Sequence, residues 1–335
     1  MADHELMTMW TTKSDRESRS IETDRQLVLS RLQELTEKLL LPWRRNITNI
    51  NRTRRALSVL RTKTEFVLTK ENADIGSQVN LTLRKMEKLK MNRNMYKHLP
   101  KTLELSHYNT CSVVGNSGIL LGSGCGNAID HAQFVFRCNL APITPYIKDA
   151  GRKSSLTTLN KSILDKRYGG LHRYNLTRFG RALKDYSGYI WIPLHSNLDR
   201  IPVTLTAAYL LRIGGLQVLL MNPDHYLGMQ NYWTSRGITG YLTTGFYMTM
   251  VAIEMCDTVD LYGFWPFNTT GTGNNVNYHY YDDLVGTKAH NFSAEFSILN
   301  KLHHDGIIRI NIRKCQNSAA NSNNVSTEKS TIKVK

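Results

Sequence analysis

Cys111-Ser-Val-Val-Gly115-Asn116-Ser117-Gly118-Ile-Leu-Leu-Gly122-Ser-Gly124-Cys125-Gly126 is the stretch on which the fold turns, and it runs on through Phe134-Val-Phe-Arg137-Cys138-Asn139-Leu-Ala-Pro142. A short apolar run, Cys111 to Val114, meets a dense set of glycines, which is how a buried strand delivers backbone N–H groups to a phosphate. The spacing holds neither Gly-x-Gly-x-x-Gly nor Gly-Lys-Ser/Thr, so the dinucleotide and P-loop fingerprints both fail. Taken bare, a glycine-rich turn serves equally well as a tight strand-to-helix connection with no ligand.

Working outward, the chain from Cys111 onward alternates strand and helix patterns. The reading places strands near 111–114, 133–138, 189–193, 217–221, 258–263 and 307–311, and helices near 125–131, 156–165, 203–213, 245–256 and 290–303. Such alternation means βαβ units and a mainly parallel, Rossmann-like sheet flanked by helices, an α/β fold in a single domain over 101–315. Nucleotides bind at the carboxyl ends of such strands. Here that edge would present Gly115 to Gly118, Asn139, Thr243 to Gly245 and the loop after Gly263.

Residues 1–20 are polar and charged without apolar period and read as disordered, as does the Asn/Ser-rich tail 316–335. Between them and the sheet lies a helical, basic region, 21–100. Ile21, Val28 and Leu35 recur every seven residues with Leu32 and Leu39 beside them, predicting an amphipathic helix that ends before Pro42. It serves either as a membrane-proximal stem or as a dimerisation helix, the latter making a homodimer. Residues 81–101 interleave Arg84, Lys85, Lys88, Lys90, Arg93, Lys97 and Lys101 with Leu81, Leu83, Met86, Leu89 and Met91 at helical spacing, which reads either as a solvated basic helix face or as a landing strip for an acidic chain.

The net charge of +16 attracts polyanions, whether nucleic acid, anionic membrane or acidic glycan. No zinc-finger spacing and no aromatic RNA-binding signature is present, which makes nucleic acid the weakest of the three. Eight Asn-x-Ser/Thr sequons favour a secretory chain. Asn46, Asn51, Asn80, Asn160, Asn175 and Asn324 are the glycosylation candidates, while Asn268 and Asn291 lie in or beside the blocks quoted below, so one or both are expected to be bare. Five cysteines leave one odd thiol, and parity alone suits five small core residues. No run of about 20 apolar residues occurs and no leader follows Met1.

Cys-Ser-Val-Val-Gly-Asn-Ser-Gly-Ile-Leu, Gly-Cys-Gly and Phe-Arg-Cys-Asn-Leu-Ala-Pro resemble the large sialylmotif of animal sialyltransferases, and the wording is closest to the α-2,8 branch. Thr243-Thr244-Gly245 through Cys256 to Leu261-Tyr-Gly263-Phe264-Trp265-Pro-Phe267 resembles the small sialylmotif. His279-Tyr280-Tyr281-Asp282 is similar to the third motif, and His290 with Glu295, His-x-x-x-x-Glu, to the very small one. The resemblance covers 111–310 and does not reach residues 1–100.

It implies the variant of the GT-A fold found in sialyltransferases, and disulfides Cys111–Cys256 and Cys125–Cys315 with Cys138 left free. It implies a Golgi-lumenal enzyme, normally anchored as a type II membrane protein, although no anchor is visible here. It also implies a CMP-sialic acid donor, a sialylated glycoprotein or glycolipid acceptor, and no metal or other cofactor. Polysialylating members carry a second basic stretch before the small motif. Residues 205–242 hold only Arg212 and Arg236, which argues against long polymers.

Sialyl transfer needs a base for the acceptor hydroxyl and charge stabilisation for the departing phosphate, and two histidines suffice. By resemblance His290 is the base, imidazole being the side chain suited to proton transfer near neutral pH, and Glu295 orients or supports it. His279 reaches the departing phosphate, oriented by Tyr280 and Tyr281. Without the resemblance, His279, Asp282 and Asp283 would invite a divalent metal, and His303-His304-Asp305 likewise, although ahead of Gly306 these read as a helix C-terminus with favourable cations. Asn116 and Asn139 are the implied donor contacts, with Ser117 in support. Thr243, Thr244 and Gly245 grip cytidine and ribose, and Gly263, Phe264 and Trp265 line the base or sugar pocket. Leu242 departs from the turn residue the family usually has there. The rivals are an α-2,3- or α-2,6-sialyltransferase acting on galactose or N-acetylgalactosamine, and a non-catalytic binder of acidic glycans.

Overall fold

In the computed structural model, which describes residues 18–80, 88–103, 106–172, 174–194, 215–284 and 290–315, the glycine-rich stretch follows a strand near the centre of the sheet. Helices α1 (Ser18–Leu39) and α2 (Ile47–Leu57) come first, then an antiparallel pair, β1 (Gln78–Asn80) and β2 (Lys88–Lys90). After them come β3 (Tyr108–Val114), α3 (Gly126–His131), β4 (Phe134–Arg137), β5 (Leu156–Thr158), α4 (Lys161–Tyr168), α5 (Tyr174–Leu183), β6 (Tyr189–Ile192) and β7 (Gln217–Leu220). The chain closes with α6 (Pro223–Thr234), α7 (Thr244–Met255), β8 (Cys256–Tyr262), α8 (Phe292–His304) and β9 (Arg309–Asn311).

The seven strands β7-β6-β5-β4-β3-β8-β9 are parallel throughout. Because helices cover both faces of such a sheet, its strands read as continuous apolar runs: Cys111 to Val114 and all of β4 are buried. From β3 the chain walks outward to β7. Then α6 and α7 bring it back to β8, on the other side of β3. The order reverses between β3 and β8, and a crevice opens where it does. Val114 pairs with Tyr262 at that point, and each is followed by a glycine for a steric reason. A Cβ on Gly115 would lie 2.5 Å from the Gly263 carbonyl oxygen, and one on Gly263, at φ +71, 2.7 Å from that of Gly115. Two turns this close leave no room for side chains.

α7 is apolar all round, which suits a helix buried on every side, and Phe246 to Ile253 are all buried. α1 buries Val28, Leu32, Leu35 and Leu39, the stripe its heptad spacing predicted, in the same core as the sheet. The face a dimerisation helix would offer is thus occupied within the chain. At Gly271 a Cβ would sit 2.9 Å from Gln33 Cα, so the loop after β8 lies directly on the backbone of α1. Ile50, Leu57, Phe66, Val67, Met91 and Met95 join this core as well, and the Asn49 amide donates to the Asp305 carbonyl at 2.8 Å. The segment read as a stem is therefore packed on the sheet from α1 onward.

Several expectations change. The helix read over 156–165 divides into β5 and α4, because Leu156 to Thr158 pair with β4 and β6 and are buried on both faces. Within the basic run 81–101, Lys88–Lys90 pairs with β1 and Arg93–Tyr96 forms one helical turn; 81–87 lie outside the described residues. The helix read over 203–213, the sequon at Asn324, the tail and residues 1–17 also lie outside them, while Ser18 to Ser20, read as disordered, begin α1. His303 is no helix-end cation. It is buried, its Nδ1 accepts from the Ile310 amide at 3.1 Å, and desolvation, with His304 and Arg309 nearby, lowers its pKa to about 4.

Disulfides join Cys111 to Cys256 and Cys125 to Cys315, and Cys138 is free and buried. Among the described residues no helix is long and apolar enough to cross a membrane.

Candidate active site

The crevice between β3 and β8 opens into a cleft of about 1090 Å³. Its floor is the turn after β3. The Ser117 amide donates to the Gly263 carbonyl at 3.1 Å and the Gly118 amide to Asn277 at 2.9 Å. The Asn116 carbonyl accepts from the Tyr280 amide at 2.8 Å, so the third motif is laid along the glycine turn by main-chain bonds. Asn116 Oδ1 is buried in the cleft wall without a hydrogen-bond partner among the described residues. A buried, unpaired carboxamide oxygen is costly, and a ligand donor group would satisfy it. Asn139, held in left-handed backbone at φ +59, donates its amide to Thr158 Oγ1 at 3.0 Å.

α7 enters from the far side with its N-terminus toward the cleft. Thr243 is its N-cap, accepting from the Phe246 amide at 3.1 Å, and the first-turn residues Thr244 and Gly245 line the wall at the positive end of the helix. Glu295, on the first turn of α8, fixes that cap: its two oxygens accept from the Thr243 amide at 2.6 Å and the Thr243 hydroxyl at 2.5 Å. Burial pushes the Glu295 carboxyl up to about 7 against the opposing pull of those two bonds. Leu242 is buried, its amide donating to Gln230 Oε1 at 2.9 Å and its carbonyl accepting from Tyr226 at 3.1 Å, so the departure there is held by α6.

His290 stands just before α8, half-buried. Its Nδ1 lies 2.8 Å from the Tyr241 carbonyl, which only accepts, so in the neutral ring Nδ1 carries the proton and Nε2 keeps the lone pair. Asn291 caps α8 through the Ala294 amide at 3.0 Å and donates to Thr239 at 2.7 Å. The start of α8 therefore grips the 239–243 loop at three points.

His279 is 13% exposed, its Nδ1 2.8 Å from Asp282 Oδ1. Tyr281 stacks on it, centroids 4.9 Å apart at 14°, and Tyr278 leans on it at 4.4 Å. Tyr278 meets Phe292 and Phe292 meets His290, so two aromatic rings bridge the two imidazoles.

The cleft gathers His279, His290, Glu295, Asn116, Ser117, Asn139, Thr243, Thr244, Gly245, Gly263, Phe264 and Trp265. Tyr280 and Tyr281 do not line it: the Tyr280 hydroxyl donates to the Pro142 carbonyl at 2.9 Å, and Tyr281 acts by stacking. Trp265 is a wall, its indole N–H spent on the Thr269 carbonyl at 2.9 Å. Asp282 and Asp283 diverge, one to His279 and one accepting from Asn277 at 3.0 Å, and among the described residues no group of three or more His, Cys, Asp or Glu could hold a metal ion.

Of the sequons, Asn46 caps α2 and Asn51 is exposed on it, Asn80 ends β1, and Asn175 lies in α5. Asn160 stands in the cleft wall, with Nδ2 3.0 Å from Thr244 Oγ1. The Tyr241 carbonyl, Tyr278, Phe292 and Asn160 were not singled out for the site from sequence. The first acts through a backbone atom, the rings bear no motif of their own, and the sequon drew Asn160 to another reading.

A parallel sheet whose switch-point crevice carries a helix N-terminus, an unpaired buried carboxamide and two oriented imidazoles belongs to a transferase acting on a nucleotide-linked substrate. The profile of glycosyltransferase family 29 (sialyltransferase) matches residues 62–307, and the chain belongs to that family. It is a sialyltransferase, taking sialic acid from CMP-sialic acid to a glycan acceptor. α-2,8-Sialyltransferase 8F of Homo sapiens is 32% identical over 294 residues, 85% of this chain and 74% of its own. The α-N-acetylneuraminide α-2,8-sialyltransferase of Xenopus tropicalis is 33% identical over 282 residues, 82% and 81% of the two chains. A crystal structure of a mammalian sialyltransferase aligns over 90% of this chain and 87% of its own at TM-score 0.46 and 21% identity.

Proposed function

We propose that this enzyme transfers sialic acid from CMP-sialic acid to a glycan already ending in sialic acid, forming an α-2,8 bond with inversion and without a metal. The observation that carries the chemistry is the His290 ring, whose Nδ1 is committed to the Tyr241 carbonyl and whose Nε2 is thereby a base. Nε2 takes the proton from the acceptor hydroxyl as its oxygen bonds to the anomeric carbon. The bond from that carbon to the phosphate oxygen breaks, and its electron pair leaves with CMP. His279 acts in its doubly protonated form, with Nδ1–H donating to the Asp282 carboxylate and Nε2–H to the departing phosphate, and the first turn of α7 adds to that stabilisation. Asn116, Asn139, Thr243 and Gly245 hold the nucleotide, with Gly263, Phe264 and Trp265 around the base or sugar.

The α-2,8 linkage is supported by the wording of the large and small motifs and by the names of the relatives. The paired disulfides suit an oxidising compartment, and the Golgi lumen is the family's habitual place. Product analysis tests the reading: labelled CMP-sialic acid is offered to galactose-terminated and sialyl-terminated acceptors beside a His290→Ala control. Label confined to sialylated acceptors, resistant to an α-2,3-specific sialidase and absent with the variant, is the expected result. Label on galactose-terminated acceptors alone would move the enzyme to the α-2,3 or α-2,6 class.

A further inference from the structure

Three neighbouring strands end alike. β3 stops at Val114, β4 at Arg137 and β5 at Thr158, and two residues beyond each stands an asparagine: Asn116, Asn139 and Asn160. The strands run parallel in close register, Val114 beside Arg137 and Arg137 beside Thr157. The three carboxamides therefore follow one another along the carboxyl edge of the sheet, and all three line the cleft.

Asn160 has an alternative that it does not use. It occupies the N-cap position of α4 with extended backbone, φ −76 and ψ 146, where an asparagine oxygen ordinarily accepts from an amide of the first turn. Its side chain makes no capping bond. The Ile163 amide goes to the Asn160 carbonyl at 3.0 Å, and the carboxamide reaches over to Thr244 Oγ1 at 3.0 Å, on the first turn of α7. A carboxamide has two N–H donors and two acceptor lone pairs. Thr244 engages only part of that capacity, and the rest is available to a ligand in the cleft. The same geometry bears on the Asn160-Lys161-Ser162 sequon: a glycan on Nδ2 would take one of its two N–H positions beside Thr244 and would stand inside the cleft.

We propose that Asn160 is a third asparagine contact for the CMP-linked donor and that, despite its sequon, it carries no glycan. This rests on the sialyl-transfer reading above, and the test keeps the two apart. The full chain is made in a secretory host, its glycopeptides are mapped, and steady-state kinetics and thermal melting are measured for Asn160→Ala, Asn160→Asp and Ser162→Ala. Ser162 is exposed on α4, and its loss destroys the sequon without touching the cleft. Asn160 is expected to be bare and Ser162→Ala to match the parent. Asn160→Ala should raise the donor KM about tenfold, the loss of one hydrogen bond to a charged ligand, with acceptor KM and melting temperature unchanged. Asn160→Asp keeps the size and adds a negative charge beside an anionic donor, so its donor KM should rise further. A glycan found on Asn160 in active enzyme, or a donor KM for Asn160→Ala within about twofold of the parent, overturns the proposal. A parent enzyme that neither transfers sialic acid nor binds CMP sinks the underlying reading instead.

Discussion

His279 takes its orientation from Asp282 on one side and Tyr281 on the other, so both are positioning residues with separable effects. Asp282→Asn removes the carboxylate that pairs with the doubly protonated His279 ring and so weakens the ring as a donor to the departing phosphate. We expect kcat to fall about tenfold or more while acceptor KM holds, read from initial rates across pH. Glu295 offers a different readout. Its carboxyl titrates near 7 in the fold against an ordinary 4.5, so the folded state holds the proton more tightly than the unfolded one. The stability this contributes is complete below about pH 4.5 and is lost as pH rises through 7. The melting-temperature advantage of the parent over Glu295→Gln should therefore shrink between those values, and a constant difference would refute the buried carboxyl. The two histidines were legible in the sequence because they fall in recognisable blocks. The partners that orient them were only partly so: Asp282 is next door, but the Tyr241 carbonyl is a main-chain atom 49 positions from His290 and leaves no mark in residue type.

α1 and the loop after β8 act as one piece. Leu32 is buried on α1 and also reaches the cleft wall, while Gly271 brings the loop against the α1 backbone. Leu32→Ala should cost about 2–4 kcal/mol by urea unfolding. A loss well under 1 kcal/mol would mean that α1 is not held against the sheet in solution. The heptad of α1 was plain in the sequence, but what it packs on was not, since an apolar stripe looks the same whether it meets another chain, a membrane-proximal segment or its own domain. The longer strands were legible as apolar runs. β5 was not, because three residues are too few to show a period and Leu-Thr-Thr has no continuous apolar character. Lys88-Leu-Lys90 alternates as a strand should, yet the surrounding leucines and lysines also fit a helical spacing, and pairing with β1 decides between them. α6 carries its own mark in the sequence, Asn222-Pro223, a cap followed by a helix-starting proline.

Across the whole molecule, the two disulfides span 145 and 190 residues and tie the strand before the glycine turn to β8 and the loop after that turn to the C-terminal end of the sheet. Closing loops of this length restricts the unfolded chain by about 5 kcal/mol each on the loop-entropy estimate. The paired variant Cys111→Ser with Cys256→Ser should therefore melt well below the parent in calorimetry, and an unchanged melting temperature would contradict that estimate. The pairing pattern also dictates a schedule. A ribosome delivers Cys111, Cys125 and Cys138 within 27 residues of one another, long before either true partner exists. At roughly 5–20 residues per second, Cys111 waits roughly 7–30 s for Cys256. In an oxidising lumen any bridge closed during that interval is a wrong one, and Cys138, whose thiol in the finished core is pushed up to about 12 by burial, is as reactive as the others until the core forms. Where the chain is made in an oxidising compartment, thiol–disulfide reshuffling after the last cysteine emerges is therefore a step that its folding must pass through.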